Sequence, residues 1–424
     1  MFGFLSTNFA AVINYRSLLK YPCPKNMKFF WNFGVLSLLF LVVQLISGLF
    51  LTLFYDPNIL HAFDSVEHIV RNVNYGWVIR SIHSNGASFF FFFVYLHILR
   101  GLYYRTFRFP RSSVWIVGII IYLLLMLSAF LGYVLPWGQM SYWAATVITN
   151  LVTVLPYIGD DLVEWLWGGY SVSSPTLRRI FTLHYLMPFV LTAMVVVHIY
   201  ILHQPGSSSE LGVTSEFRKF INKATGFHAY YITKDLFVSI FVLVIFCIFV
   251  FYLPEFFNHP DNYNRANPLV TPTHIVPEWY FLPFYGMLRS ILEKKYGIIV
   301  AFFAIISFFF IAAYEKYYST TKFNRNDIRL INWVAIFNFL LLGVLGSLPP
   351  IYPVVELGIL CTYIHLIIFY IVFPILIFII PYPNLPENLP DSRVVINMRE
   401  IFIEFIDIVV FSIFCFLGFI IVAL

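Results

Sequence analysis

Eight long apolar stretches alternate with shorter polar segments along the 424-residue chain. They run roughly over 29–55, 76–104, 112–134, 178–203, 229–253, 296–314, 328–347 and 354–380. A helix rises about 1.5 Å per residue, so each can cross a hydrocarbon layer about 30 Å thick. The pattern predicts an all-α integral membrane protein with eight spans. A ninth apolar run, 401–424, follows a Pro/Asn-rich loop at 381–390. Glu404 and Asp407 shorten its clean part to about 408–424, so it either crosses the membrane or lies along its surface.

Composition supports the pattern: 60% of residues are hydrophobic and 11% charged, which excludes a soluble globular domain. The charges also give an orientation. Segments on the side of the N-terminus (the n side) carry 18 of the 26 Lys and Arg residues, and those on the opposite p side carry 8. The positive-inside rule puts the n side in the cytoplasm or the mitochondrial matrix. The net charge of +5 comes from these loops and implies no nucleic-acid partner. The second and fourth spans then run from p to n, and the first and third from n to p.

Two histidine pairs stand out against this apolar background. His83 and His97 lie on the second span, His184 and His198 on the fourth, and each pair is 14 residues apart. Fourteen residues are nearly four turns, so both histidines of a pair share one face, about 21 Å apart along the axis. Because the two spans are parallel, His83 meets His184 near the p side and His97 meets His198 near the n side. Ionisable side chains within a membrane are costly and usually functional. Two imidazoles facing each other at one level are an axial pair for haem iron.

Gly34 and Gly48 on the first span, and Gly118 and Gly132 on the third, repeat the 14-residue spacing. Gly34 and Gly118 fall at the level of His97 and His198, Gly48 and Gly132 at that of His83 and His184. Missing side chains there let a flat macrocycle approach the backbone. Arg80 and Arg100 lie one turn outside His83 and His97 and are placed to pair with haem propionates. The four cysteines, Cys23, Cys247, Cys361 and Cys415, form no CxxC or CxxCH motif. Two haems would therefore be held without covalent attachment.

Three motifs carry a family resemblance. Gly76-Trp77-Val78-Ile79-Arg80, the stretch Gly132 to Ser141 (GYVLPWGQMS) and Pro277-Glu278-Trp279-Tyr280 resemble the cytochrome b family of the cytochrome bc complexes, over about 25–380. The unsplit chain and equal spacings resemble its respiratory, mitochondrial form. The resemblance implies a dihaem four-helix bundle, 29–203, with a p-side loop, after an n-side segment, 1–28. An n-side loop and fifth helix, 204–253, follow, then a second p-side loop and helices six to eight, 254–380, and a C-terminal extension, 381–424.

The resemblance also implies an activity, that of the core subunit of quinol–cytochrome c oxidoreductase in the mitochondrial inner membrane. Ubiquinol is oxidised near the p side, one electron passing to a Rieske iron–sulfur protein. The other passes through two b-type haems to ubiquinone near the n side, with proton translocation. Partners implied are the Rieske protein, a c-type cytochrome, other complex III subunits, membrane lipid and a second copy of the complex. Glu278, Tyr280 and Tyr133 fall at p-side helix ends or loops, where a carboxylate accepts a phenolic proton. His203, Ser207, Lys234 and Asp235 cluster at n-side helix ends, and the resemblance implies His203 and Asp235 as quinone contacts. Arg178 and Arg179 read as structural or docking residues. His61, His68, His228, His259, His274 and His365 receive no haem role.

The chain departs from the family at Ala144, where glycine is usual, and in its C-terminal extension. The Ala144 methyl is expected to hinder close-fitting methoxyacrylate-type inhibitors at the rim of the quinol pocket. Two other classes fit less well. A different dihaem membrane protein leaves the Pro-Glu-Trp-Tyr segment unexplained, and a transporter would place charges at the helix centres, which are nearly free of them here.

Overall fold

The computed structural model describes residues 21–24, 27–107, 110–207, 224–228, 230–317 and 325–375. The apolar run 401–424 and the loop before it lie outside them. Eight helices among the described residues are long and apolar enough to span a membrane. They are α1 (Phe33–Thr52), α3 (Gly76–Tyr103), α4 (Ser112–Val134), α7 (Ser174–His203), α8 (Tyr230–Phe251), α10 (Lys294–Tyr317), α11 (Arg325–Ser347) and α12 (Val354–Ile367). The last continues through a π-helical turn, Ile368–Val372. Shorter helices lie between them on the p side: α2 (Ala62–Asn72), α5 (Gln139–Thr149), α6 (Gly159–Trp167) and α9 (Leu282–Ser290).

The fourth span starts at Ser174, four residues before the expected 178. Ser173 and Thr176 form a capping box, and Pro175 fits the first helical turn, where its missing N–H costs nothing. Arg178 and Arg179 therefore belong to the helix. Arg179 reaches back to the Leu166 carbonyl at 3.3 Å, tying α7 to the end of α6, a structural role.

Helices pack in two closely associated pairs, α1 with α3 and α4 with α7. The helices that carry the histidines, α3 and α7, are not a closely packed pair. α3 is the most enclosed span, with 61% of its central window buried, and α7 the least, with 6%. α7 thus turns an apolar face with Leu186 and Val196 outward, toward lipid or another subunit.

The second group, α9 to α12, packs through glycine. A Cβ on Gly286 of α9 would lie 3.4 Å from the Gly346 nitrogen of α11, and one on Gly346 would lie 3.3 Å from the Gly286 nitrogen. Small residues let these backbones meet, the usual basis of helix association in lipid. Side-chain hydrogen bonds join the halves: Trp115 Nε1 donates to the Phe308 carbonyl at 2.7 Å, and Asn332 Nδ2 to that of Leu102 at 3.2 Å. On the n side a short strand, β1 (Pro22–Pro24), pairs antiparallel with β2 (Ala224–Gly226), Cys23 opposite Thr225.

Gly346→Val is expected to wedge α11 from α9 and cost about 1–3 kcal/mol, as overpacking does. A lower thermal unfolding midpoint of the purified protein would show it, and an unchanged midpoint would contradict the packing.

Candidate haem and quinone sites

The four histidines meet as their spacing predicts. His83 and His184 have ring centroids 6.3 Å apart, and His97 and His198 6.4 Å, with interplanar angles of 89° and 66°. An imidazole nitrogen about 2 Å from a metal puts the ring centre about 3 Å from it, so two rings across one metal have centres about 6 Å apart. Both separations match. Among the described residues no group of three or more His, Cys, Asp and Glu could cage a bare ion. The two pairs thus suit a metal whose remaining ligands come from a flat ring.

The surroundings fix tautomers at the p-side pair. His184 Nδ1 lies 2.9 Å from the Ser128 carbonyl, which can only accept, so Nδ1 carries the proton. Ser47 Oγ donates to the Val43 carbonyl at 2.6 Å and sits 3.0 Å from His83 Nδ1, which then donates to it. Both Nε2 atoms are left as ligating lone pairs, the usual role of second-shell partners. At the n-side pair Arg100 Nη2 lies 3.2 Å from His97 Nδ1, and its Nε has no partner. That guanidinium is a cation at the rim of the pair.

Each glycine backs onto one histidine. A Cβ would lie 3.2 Å from His97 Cε1 at Gly34, 3.0 Å from His83 Cε1 at Gly48, 3.1 Å from His198 Cε1 at Gly118 and 2.5 Å from His184 Cε1 at Gly132. The depths agree with the spacing argument, and the structure adds which group each glycine makes room for: the imidazole itself.

On the p side one cavity of about 240 Å³ is lined by both His83 and His184 and by Arg80, Tyr133, Glu278 and Tyr280. Glu278 immediately precedes a 3-10 turn, Trp279–Phe281, clamped by α3. Tyr280 stacks on Phe91 with centroids 4.0 Å apart and planes parallel, and the Tyr95 hydroxyl donates to its carbonyl. Trp279 Nε1 donates to Ser88 Oγ at 3.0 Å. The helix that carries His83 thus also positions the carboxylate. Burial pushes the Glu278 carboxyl up to about 8, against the pull of the Arg80 charge and the Tyr133 hydroxyl. Burial likewise raises the Tyr280 phenol, with Glu278 adding to it. Ala144 is 7% exposed on α5 and does not line the cavity. Its helix is tied to the cavity wall by Ser141 Oγ, which donates to the Tyr133 carbonyl at 2.7 Å.

On the n side the predicted polar residues form two neighbouring groups. Asn32 Nδ2 donates to Asp235 Oδ1 at 2.5 Å, and Lys234 Nζ to the Met27 carbonyl at 2.8 Å. His203 stacks on Tyr21, with centroids 4.3 Å apart, and Ser207 hydrogen-bonds Tyr21. Cys23, in β1, lies between the groups, close enough to Tyr21 and Asp235 to feel both. Asn32 and Tyr21 were not anticipated. A lone Asn before an apolar run and a Tyr in a basic segment carry no spacing signal.

The chain and its fold have relatives. The family model "Cytochrome b/b6/petB" matches residues 18–206, and "Cytochrome b(C-terminal)/b6/petD" matches 265–366. Cytochrome b of Chondrus crispus is 49% identical over 363 residues, covering 85% of this chain and 93% of the relative. Cytochrome b of Rhodospirillum rubrum is 46% identical over 380 residues, covering 90% and 92%. A chain of a "Hyperthermophilic respiratory Complex III" superposes with a TM-score of 0.81 at 34% identity, covering 88% of this chain and 97% of that one. With paired histidines, matched glycines and eight spans in one arrangement, the chain belongs to the cytochrome b family.

Proposed function

We propose that this chain is the electron-transfer core of a quinol–cytochrome c oxidoreductase, a respiratory complex III, in the mitochondrial inner membrane with its N-terminal segment on the matrix side. The observation that carries the reading is the two imidazole pairs, 6.3 and 6.4 Å between centroids, on one stripe of α3 and one of α7. His83 with His184, and His97 with His198, would each hold a non-covalent b-type haem, with Arg80 and Arg100 meeting its propionates. Each haem, when bound, supplies a one-electron carrier.

The protein's own groups handle protons and orientation. Ubiquinol enters the end of the p-side cavity lined by Tyr133, Glu278 and Tyr280, beside the His83 and His184 pair. The Glu278 carboxylate accepts a phenolic proton and passes it to the p-side medium. Arg80 keeps enough negative charge on it for that task. A Rieske iron–sulfur protein takes one electron on this side, and a c-type cytochrome subunit receives it. On the n side, Asp235 and His203, held by Asn32 and Tyr21, deliver protons to ubiquinone, with Lys234 and Ser207 completing the polar rim. Proton release on one face and uptake on the other make the cycle translocate charge. The exposed face of α7 suits a homodimer of the complex.

His83→Leu and His97→Leu should each lower haem from two per chain to one, measured as pyridine haemochrome. A variant that keeps two would contradict the pairing.

With its carboxyl raised to about 8, Glu278 is protonated at low pH and becomes a proton acceptor as pH rises through that value. At pH 7 roughly one-tenth is carboxylate. Quinol oxidation should therefore quicken from pH 6 to about 8 and then level. Glu278→Gln should flatten that profile and slow turnover on the order of 10². A steep profile retained in the variant would remove Glu278 from the proton path.

Asp235→Leu should leave the first turnover of quinol oxidation intact but hold the b-type absorbance reduced after quinol addition. Fast reoxidation would rule out its role on the n side. Ala144 does not line the cavity, but its helix is tied to the wall through Ser141, so the complex should resist methoxyacrylate-type inhibitors and Ala144→Gly should lower their inhibitory concentration. Equal sensitivity of both forms would remove Ala144 from the inhibitor site.

A further inference from the structure

A second cavity lies away from both histidine pairs, between α3, α4, α10, α11 and α12. Its wall is largely aromatic and aliphatic, with Tyr95, Tyr122, Phe308 and Phe369. Two polar side chains line it, His365 of α12 and Asn332 of α11, each only 2% exposed. His365 has no matched histidine at its depth, so spacing gives it no haem role. The structure places it inside a membrane helix, stacked on Phe369 with ring centroids 4.6 Å apart. The π-helical turn begins three residues after it and contributes Phe369. Such turns recur at functional sites.

Each of these side chains has one buried polar atom without a partner. His365 hydrogen-bonds the Ala304 backbone through one ring nitrogen, and its Nε2 has no partner. A carbonyl partner fixes the proton on Nδ1, so Nε2 is an acceptor. Asn332 Nδ2 donates to the Leu102 carbonyl at 3.2 Å, and its Oδ1 has no partner. The neighbouring hydroxyls cannot help. Tyr95 donates to the Tyr280 carbonyl, and Tyr122, 3.1 Å away, donates to Tyr95. Buried acceptors in a hydrocarbon setting are seldom left unpaired, because nothing else there can hydrogen-bond them. Among the described residues none donates to either atom.

We propose that this cavity is a ligand site that holds a neutral O–H donor on His365 Nε2 and Asn332 Oδ1. The two acceptors carry no formal charge and the wall is apolar, so an ion does not suit it. The space is about 50 Å³. Roughly 10–15 Å³ by this measure admits one water, so it takes a few waters or the hydroxyl end of a lipid-soluble alcohol or phenol. The site does not depend on the quinone chemistry proposed above.

The test is a density map of the complex purified in its native lipid, at a resolution that shows ordered water elsewhere in the helices. The expected result is density within about 2.7–3.2 Å of His365 Nε2 and Asn332 Oδ1. Separate round features identify water, and continuous density running between the helices identifies an alcohol or phenol. Either supports the site. The His365→Phe/Asn332→Leu double variant should lose that density, while His365→Gln, which keeps an acceptor, should retain it at Asn332. No density at either atom in the native complex, or density unchanged in the double variant, would overturn the proposal.

Discussion

The structure depends on one constraint: two parallel helices must present imidazoles at two matching depths while staying apart. The 14-residue spacing sets the depths, since nearly four turns return the second histidine to the face of the first. The separation is set by what stands behind each ring. Gly34, Gly48, Gly118 and Gly132 give the imidazoles room against α1 and α4, which pack closely on α3 and α7 respectively. The bundle is thus two tight pairs facing each other across a gap, and the gap is where a planar cofactor belongs. On the p side the cost of a histidine in lipid is lowered because Nδ1 of each ring has a partner, Ser47 for His83 and the Ser128 carbonyl for His184.

The same economy of polar groups shapes the p-side cavity. Glu278 is buried near the Arg80 cation and the phenols of Tyr133 and Tyr280, so its carboxyl sits near the range where it can exchange a proton. Its position comes from α3, through Ser88, Phe91 and Tyr95, rather than from the loop that contains it. One helix therefore sets both the cofactor level and the carboxylate.

Much of this was legible in the sequence, for identifiable physical reasons. Lipid demands long apolar helices, so the eight spans are written in hydropathy alone. The histidine and glycine spacings survive as arithmetic because helices are regular. The short p-side helices α2, α5, α6 and α9, of nine to eleven residues, were not legible, because they have no span-length apolar signal. The start of α7 was placed four residues late, since a capping box of Ser173 and Thr176 is faint beside the apolar run that follows. Asn32, Tyr21 and Ser47 act only through tertiary contacts with Asp235, His203 and His83, which no spacing encodes. His365 was passed over because it has no partner at matching spacing. Its setting appears only when five helices close around it.

The most direct measurement is a potentiometric titration of the complex that contains this chain, followed in the reduced-minus-oxidised visible spectrum. Two b-type components with separate midpoints are predicted, because the histidine pairs differ in their partners: Ser47 and the Ser128 carbonyl at one, Arg100 at the other. A single component, or none, would contradict the pairing of His83 with His184 and of His97 with His198, and the electron-transfer account with it.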